Sequence, residues 1–142
     1  MIEINNLTNI SVDKKLLKNI AQRVLNEENK KRKDLSIAFV NLNKIKEINK
    51  KYKGKNKITD VLSFSGIGIN FIPQDKNLGE IIICLKEVKK NAKKYKSEFK
   101  TEITRVLIHG ILHLLGYDHE KSEKETKKME NKQNYYLSLL NN

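Results

Sequence analysis

Every histidine of this chain lies in one stretch, His109-Gly110-Ile111-Leu112-His113-Leu114-Leu115-Gly116-Tyr117-Asp118-His119, at the spacing of metal ligands. An α-helix turns once in about 3.6 residues, so His109 and His113 project from one face, a turn apart, and can share one ion. Gly116 can take the left-handed conformation that ends a helix without a Cβ penalty; the chain can then fold back and deliver His119 as a third ligand. Three neutral imidazoles with an open fourth position describe a catalytic zinc site, whereas structural zinc is closed by four protein ligands rich in cysteine. The one cysteine, Cys84, lies inside an apolar run. Zinc, one ion per chain, is the default for this donor set, although three imidazoles also suit nickel, copper or iron. The competing reading is a hydrogen-bonded helix face, which an isolated His109/His113 pair would favour. Gly116 and His119 reverse that balance.

Two helical histidines, a glycine break and a third histidine reproduce the ligand frame of the metzincin peptidases, except that residue 110 is glycine and not glutamate. In those peptidases that glutamate is the general base that takes a proton from the attacking water. Zinc on three histidines brings water to a pKa of about 7 without a carboxylate beside it, so hydrolysis stays open here. Amide hydrolysis must also protonate a poor leaving group, which disfavours a metallopeptidase. Asp118, next to the third ligand, could orient a histidine or shuttle a proton. Equally, it could be a plain turn residue after glycine.

The stretch from His109 to His119 resembles the signature of the YbeY family of metal-dependent endoribonucleases, which act on ribosomal RNA in bacteria. A second block, Tyr52-Lys53-Gly54-Lys55-Asn56-Lys57-Ile58-Thr59-Asp60-Val61-Leu62-Ser63-Phe64, resembles that family's other marker, and Leu78-Gly79-Glu80-Ile81-Ile82-Ile83-Cys84 matches the strand that follows. The three blocks stand in the family's order, and the resemblance covers essentially the whole chain. It implies a zincin-like fold and a single-strand-specific endoribonuclease in ribosomal RNA maturation and ribosome quality control. It further implies contact with ribosomal RNA and the small ribosomal subunit, and with a ribosomal protein and an assembly GTPase. The family usually carries arginine where this chain has Lys53, so Lys53 inherits a phosphate-contacting role by position; a lysine cannot make arginine's bidentate contact. Thr59, Asp60 and Ser63 would line the cleft by the same resemblance. Besides the peptidase, the alternative is a non-catalytic ribosome-assembly factor whose metal only stabilises the turn at Gly116.

Composition bounds these readings. At 142 residues the chain has the size of one domain, 1–142, able to bury about two-thirds of its unfolded surface in a single core. No run of about 18 apolar residues and no basic-then-apolar leader is present, so a soluble cytoplasmic protein with no membrane contact is expected. A lone cysteine forms no internal disulfide and agrees with a reducing compartment. The net charge of +12 invites a polyanionic partner. Lysine far outnumbers arginine, however, as AT-rich codons dictate across a whole proteome, so the charge is a weak pointer to nucleic acid by itself.

The elements that must position the site follow from periodicity. Met1–Asn5 alternates as a half-buried strand. From Asp13, an N-cap, Leu16, Leu17, Ile20, Ala21, Val24 and Leu25 recur at helical spacing to near Asn29. Leu35–Val40 reads as a strand, and Ile45, Ile48 and Tyr52 mark one side of a short helix that is otherwise lysine-rich. Strands are expected over 60–65 and 80–84, with a loop between, over 66–78. A lysine-rich helix over about 85–97 presents a basic, solvated face. In the next helix Phe99, Ile103, Val106, Leu107, Ile108, Ile111, Leu112, Leu114 and Leu115 cover most directions, so it is central and buried, with the imidazoles in the remaining sector facing a cleft. Arg105, one turn before His109, either binds phosphate or makes a salt bridge. Met129, Tyr136, Leu137 and Leu140 mark a last amphipathic helix. The result is an α+β domain with a small mixed sheet of about four strands and about five helices.

Overall fold

A computed structural model of the chain describes residues 1–65 and 76–141. The elements run β1 (Ile2–Asn6), α1 (Lys14–Glu27), β2 (Asp34–Val40), α2 (Leu42–Lys53), β3 (Val61–Ser65), β4 (Asn77–Cys84), α3 (Leu85–Lys94), α4 (Phe99–Leu114) and α5 (Glu123–Ser138), closed by a 3-10 turn over Leu139–Asn141. The expected order of strands and helices is therefore the observed one. Most of the loop expected over 66–78 lies outside the described residues, and its last two positions belong to β4, which begins three residues before the apolar run that marks it in the sequence. The lysine-rich helix also ends earlier than expected. Lys96 takes a positive φ of 55°, and the amide of Ser97 turns back to Ala92 O.

The sheet order is β1-β2-β4-β3, with β1, β2 and β4 parallel and β3 antiparallel along the edge of β4. Successive side chains of a strand point to opposite faces, and β4 uses both. Ile81 and Ile83 enter the larger core with Leu35, Ile37 and Phe39 of β2. Ile82 and Cys84 enter a smaller one with Val40, Leu62 and Ile45 of α2. Parallel strands need their faces covered, which the helices do: α1, α3 and α4 share the first core, and α2 lies on the second.

Local chemistry sets the helix starts. Asp13 Oδ1 accepts the Leu16 amide at 3.0 Å, Asn41 Oδ1 that of Lys44 at 2.8 Å, and Ser122 Oγ that of Glu125 at 3.1 Å. α4 is the hub. It packs against α1, α3 and α5 and against β3 and β4. Leu107, Ile108, Ile111 and Leu112 are wholly buried, each contributing about 2 kcal/mol by burial. Its buried set extends beyond the apolar residues. Thr104 donates to Lys100 O at 2.7 Å, and Glu102 receives Arg105 Nη1 at 2.8 Å. Arg105 thus makes the salt bridge of the two roles open to it.

The contact of α4 with the sheet is made through a glycine. A Cβ at Gly110 would lie 3.1 Å from Ile81 Cγ2 and 3.2 Å from its Cδ1, with Ser63 Oγ at 3.4 Å. A glutamate there would have to enter the layer between helix and sheet. Close packing against Ile81 therefore favours glycine at the residue that distinguishes this chain from the peptidase frame.

Candidate metal centre

The histidine helix ends as its sequence demands. Gly116 has φ 101°, its amide bonds His113 O at 3.1 Å, and the Tyr117 amide bonds Leu112 O at 3.1 Å. This crossed pair is a Schellman motif, in which a left-handed residue satisfies the orphan carbonyls of the last turn. The chain reverses and returns His119 towards His109, their ring centroids 5.3 Å apart and tilted by 55°. Thr126 at the start of α5 holds the turn, its hydroxyl donating to His119 O and, at 2.9 Å, to Ser122 O.

His109, His113 and His119 line one pocket of about 460 Å³. Its other wall is the α2–β3 connection and β3 itself, with Lys53, Lys55, Lys57, Thr59, Asp60 and Ser63. Two of the marker blocks, more than forty residues apart in sequence, so face each other across one cavity. Lys53, the last residue of α2, lies along that wall. Its Nζ lies 3.4 Å from Ser63 O and 4.9 Å from the centroid of the Phe64 ring. Gly54, with φ 69°, ends α2 and frees the chain to run along the pocket.

Asp118 is placed otherwise. Its Oδ1 accepts the Glu120 amide at 2.9 Å, an Asx turn, which is the turn role left open for it. It is not among the residues that line the pocket.

Two residues that matter here carry no sequence signal. Asn49 is 2% exposed. Its Nδ2 donates to Lys57 O at 3.0 Å while its own carbonyl takes the amides of Gly54 and Lys55, which clamps the lysine-bearing loop. Gln133 of α5 is the other, its Oε1 lying 2.9 Å from His109 Nδ1. Gln133 acts across 24 residues and Asn49 on the loop that follows its own helix, and neither spacing nor composition marks them.

The donor set fits a metal in three respects. Metal–nitrogen bonds of about 2.0–2.1 Å place two imidazole centroids of a tetrahedral site about 5 Å apart, which is the His109–His119 separation. Burial pushes the pKa of His109 below its ordinary 6.5, and the nearby His119 and His113 add to the shift against the opposing hydrogen bond with Gln133. A neutral imidazole is the ligating form. The Gln133 contact also occupies Nδ1 and leaves Nε2 for the ion. Among the described residues no three His, Cys, Asp or Glu side chains already stand together at ligand distance. His113 and His119 are exposed. Cys84 takes no part. It is fully buried, and burial raises its thiol pKa.

Comparison with known proteins finds relatives over nearly the whole chain. The family model described as endoribonuclease YbeY matches residues 3–141. The endoribonuclease YbeY of Thermodesulfovibrio yellowstonii is 49% identical over 106 residues, covering 75% of this chain and 66% of that one. That of Carboxydothermus hydrogenoformans is 40% identical over 144 residues, covering 99% of this chain and 97% of its own. A solution structure of a Thermotoga maritima protein is 33% identical and aligns with a TM-score of 0.71, over 99% of this chain and 89% of that one. With the family model spanning nearly every residue and relatives matching at these identities, the chain belongs to the endoribonuclease YbeY family.

Proposed function

We propose that this chain is a metal-dependent endoribonuclease that cuts single-stranded RNA, held in its reactive form by one zinc ion on His109, His113 and His119. RNA cleavage is the activity the family is named for. The observation that carries the reading is the shared cavity, in which three imidazoles face three lysine-bearing positions. When bound, the ion activates water and takes up charge that develops on phosphorus. The remaining work falls to the chain. Lys53, Lys55 and Lys57 draw in a phosphodiester and offset its charge, and Asn49 fixes the loop that carries two of them. Gly110, packed on Ile81, leaves no carboxylate beside the first histidine, which suits a phosphodiester better than an amide.

A pocket of about 460 Å³ takes one small-molecule-sized unit. A strand that can turn a single nucleotide inward matches it, and a stacked duplex does not. The family resemblance supports ribosomal RNA as the substrate, in maturation and quality control of the small subunit, with a ribosomal protein and an assembly GTPase as partners. No helix among the described residues is long and apolar enough to cross a membrane; action in the cytoplasm follows from that substrate.

The test is cleavage of a labelled single-stranded RNA by the zinc-loaded protein and by His113→Ala, whose exposed side chain leaves the core intact. Cutting by the first and not the second is expected. No cutting by either, with one ion bound per wild-type chain, would replace this reading with that of an assembly factor.

A further inference from the structure

We infer that Gln133 is a positioning residue for the metal centre: its side-chain amide sets the tautomer and the ring plane of His109 and thereby the affinity of the site for its ion. The inference rests on the reading of His109 as a ligand. An amide oxygen only accepts, so His109 Nδ1, 2.9 Å from Gln133 Oε1, carries the proton, and the lone pair of Nε2 is left for the pocket. The helix that carries the acceptor is anchored. Buried Met129 and Tyr136 flank Gln133 one turn to either side on α5. The Tyr136 hydroxyl and Lys132 Nζ both reach Glu28 at the end of α1.

His113 and His119 differ. Both are exposed, and among the described residues neither shows a hydrogen-bonded side-chain partner of this kind; His119 Nε2 has only Glu120 Oε1, at 3.9 Å. The centre therefore has one preset ligand and two that adjust. Orientation of a ligating histidine by an outer acceptor is worth about 10- to 100-fold in metal affinity. An amide is the weaker version of this device, because it carries no charge to make the imidazole a stronger donor. Carboxylate in its place should tighten the site.

The experiment is competition for zinc against a chromogenic chelator, with the wild type, Gln133→Met, Gln133→Glu and His113→Ala. Alongside it, nitrogen NMR of the metal-free forms reads which ring nitrogen of His109 is protonated. Gln133→Met keeps the length of the side chain and removes the acceptor; its metal-free thermal midpoint checks the fold. We expect Gln133→Met to bind zinc about 10- to 100-fold more weakly and to lose the Nδ1–H preference, and Gln133→Glu to keep that preference and bind at least as tightly as the wild type. A wild type already protonated at Nε2 would overturn the inference. So would a wild type that takes one zinc, loses it on His113→Ala and holds it within about twofold on Gln133→Met, and in that case the metal reading stands. A wild type that takes no zinc removes the metal reading and this inference together.

Discussion

Lys53 stands where the family resemblance leads one to expect an arginine, and its surroundings bear on that difference. Its ammonium lies between Ser63 O and the Phe64 ring at the edge of the pocket, a point charge with no fork to grip two phosphate oxygens. Lys53→Arg should keep or raise the cleavage rate, and Lys53→Ala should lower kcat/KM by about 10- to 100-fold, the worth of one charged hydrogen bond. A large loss in the arginine variant, measured on the same RNA, would sink the phosphate role. Gly110 makes a second demand. Gly110→Glu should destabilise the fold by about 3 kcal/mol in urea unfolding, because the side chain must part α4 from Ile81. At this scale the meeting of the three histidines at one pocket was legible, since helical spacing and a glycine break are local patterns. Gln133 and Asn49 were not, because what they do depends on partners that only the folded chain brings near.

Among the elements, α1, the turn after α4 and α5 meet at one carboxylate. Glu28 accepts the Tyr117 hydroxyl at 2.6 Å, Lys132 Nζ at 3.0 Å and the hydroxyl of buried Tyr136, with its own side chain 10% exposed. Burial pushes the Glu28 carboxyl up, but the three hydrogen bonds outweigh it and leave it below the ordinary 4.5. The unfolded chain therefore takes up that proton first. The stabilisation is whole above about pH 4.5 and is lost as pH falls through the folded value. Burial and the Glu28 contact push the Tyr117 hydroxyl up from 10.0 to about 12, so stability also falls as pH rises between those values. Glu28→Gln should cost about 2–3 kcal/mol at neutral pH and flatten the acid limb of a plot of denaturant midpoint against pH. An unchanged acid limb would show that other carboxylates govern it. The helices themselves were readable from apolar spacing and caps, as Asp13 and Gly116 illustrate. Their junction was not, since Glu28 stands in a charged stretch that runs on through Lys30, Lys31, Arg32 and Lys33 and reads as solvated surface.

For the whole molecule, the charge that was a weak pointer in the sequence acquires a location, because Lys53, Lys55 and Lys57 stand at one pocket. If each meets one phosphate, the logarithm of RNA affinity should fall against the logarithm of salt with a slope of about −2, at about −0.7 per contact on a single strand. Lys57→Ala should reduce that slope by about 0.7 and weaken all sequences alike. A slope that Lys57→Ala leaves unchanged would place the contacts elsewhere on the surface. The α+β class and the number of strands could be read from the order of periodic segments, but not the strand order, since β4 gives no local sign that it inserts between β2 and β3. That insertion governs when the site can exist. Among the described residues β3 pairs with β4 alone, so the wall that carries Ser63 gains that ladder once a later segment of the chain has docked beside β2. Such non-local pairing belongs to the slow steps of folding. The histidine pocket is therefore completed late, and a partly folded chain lacks it.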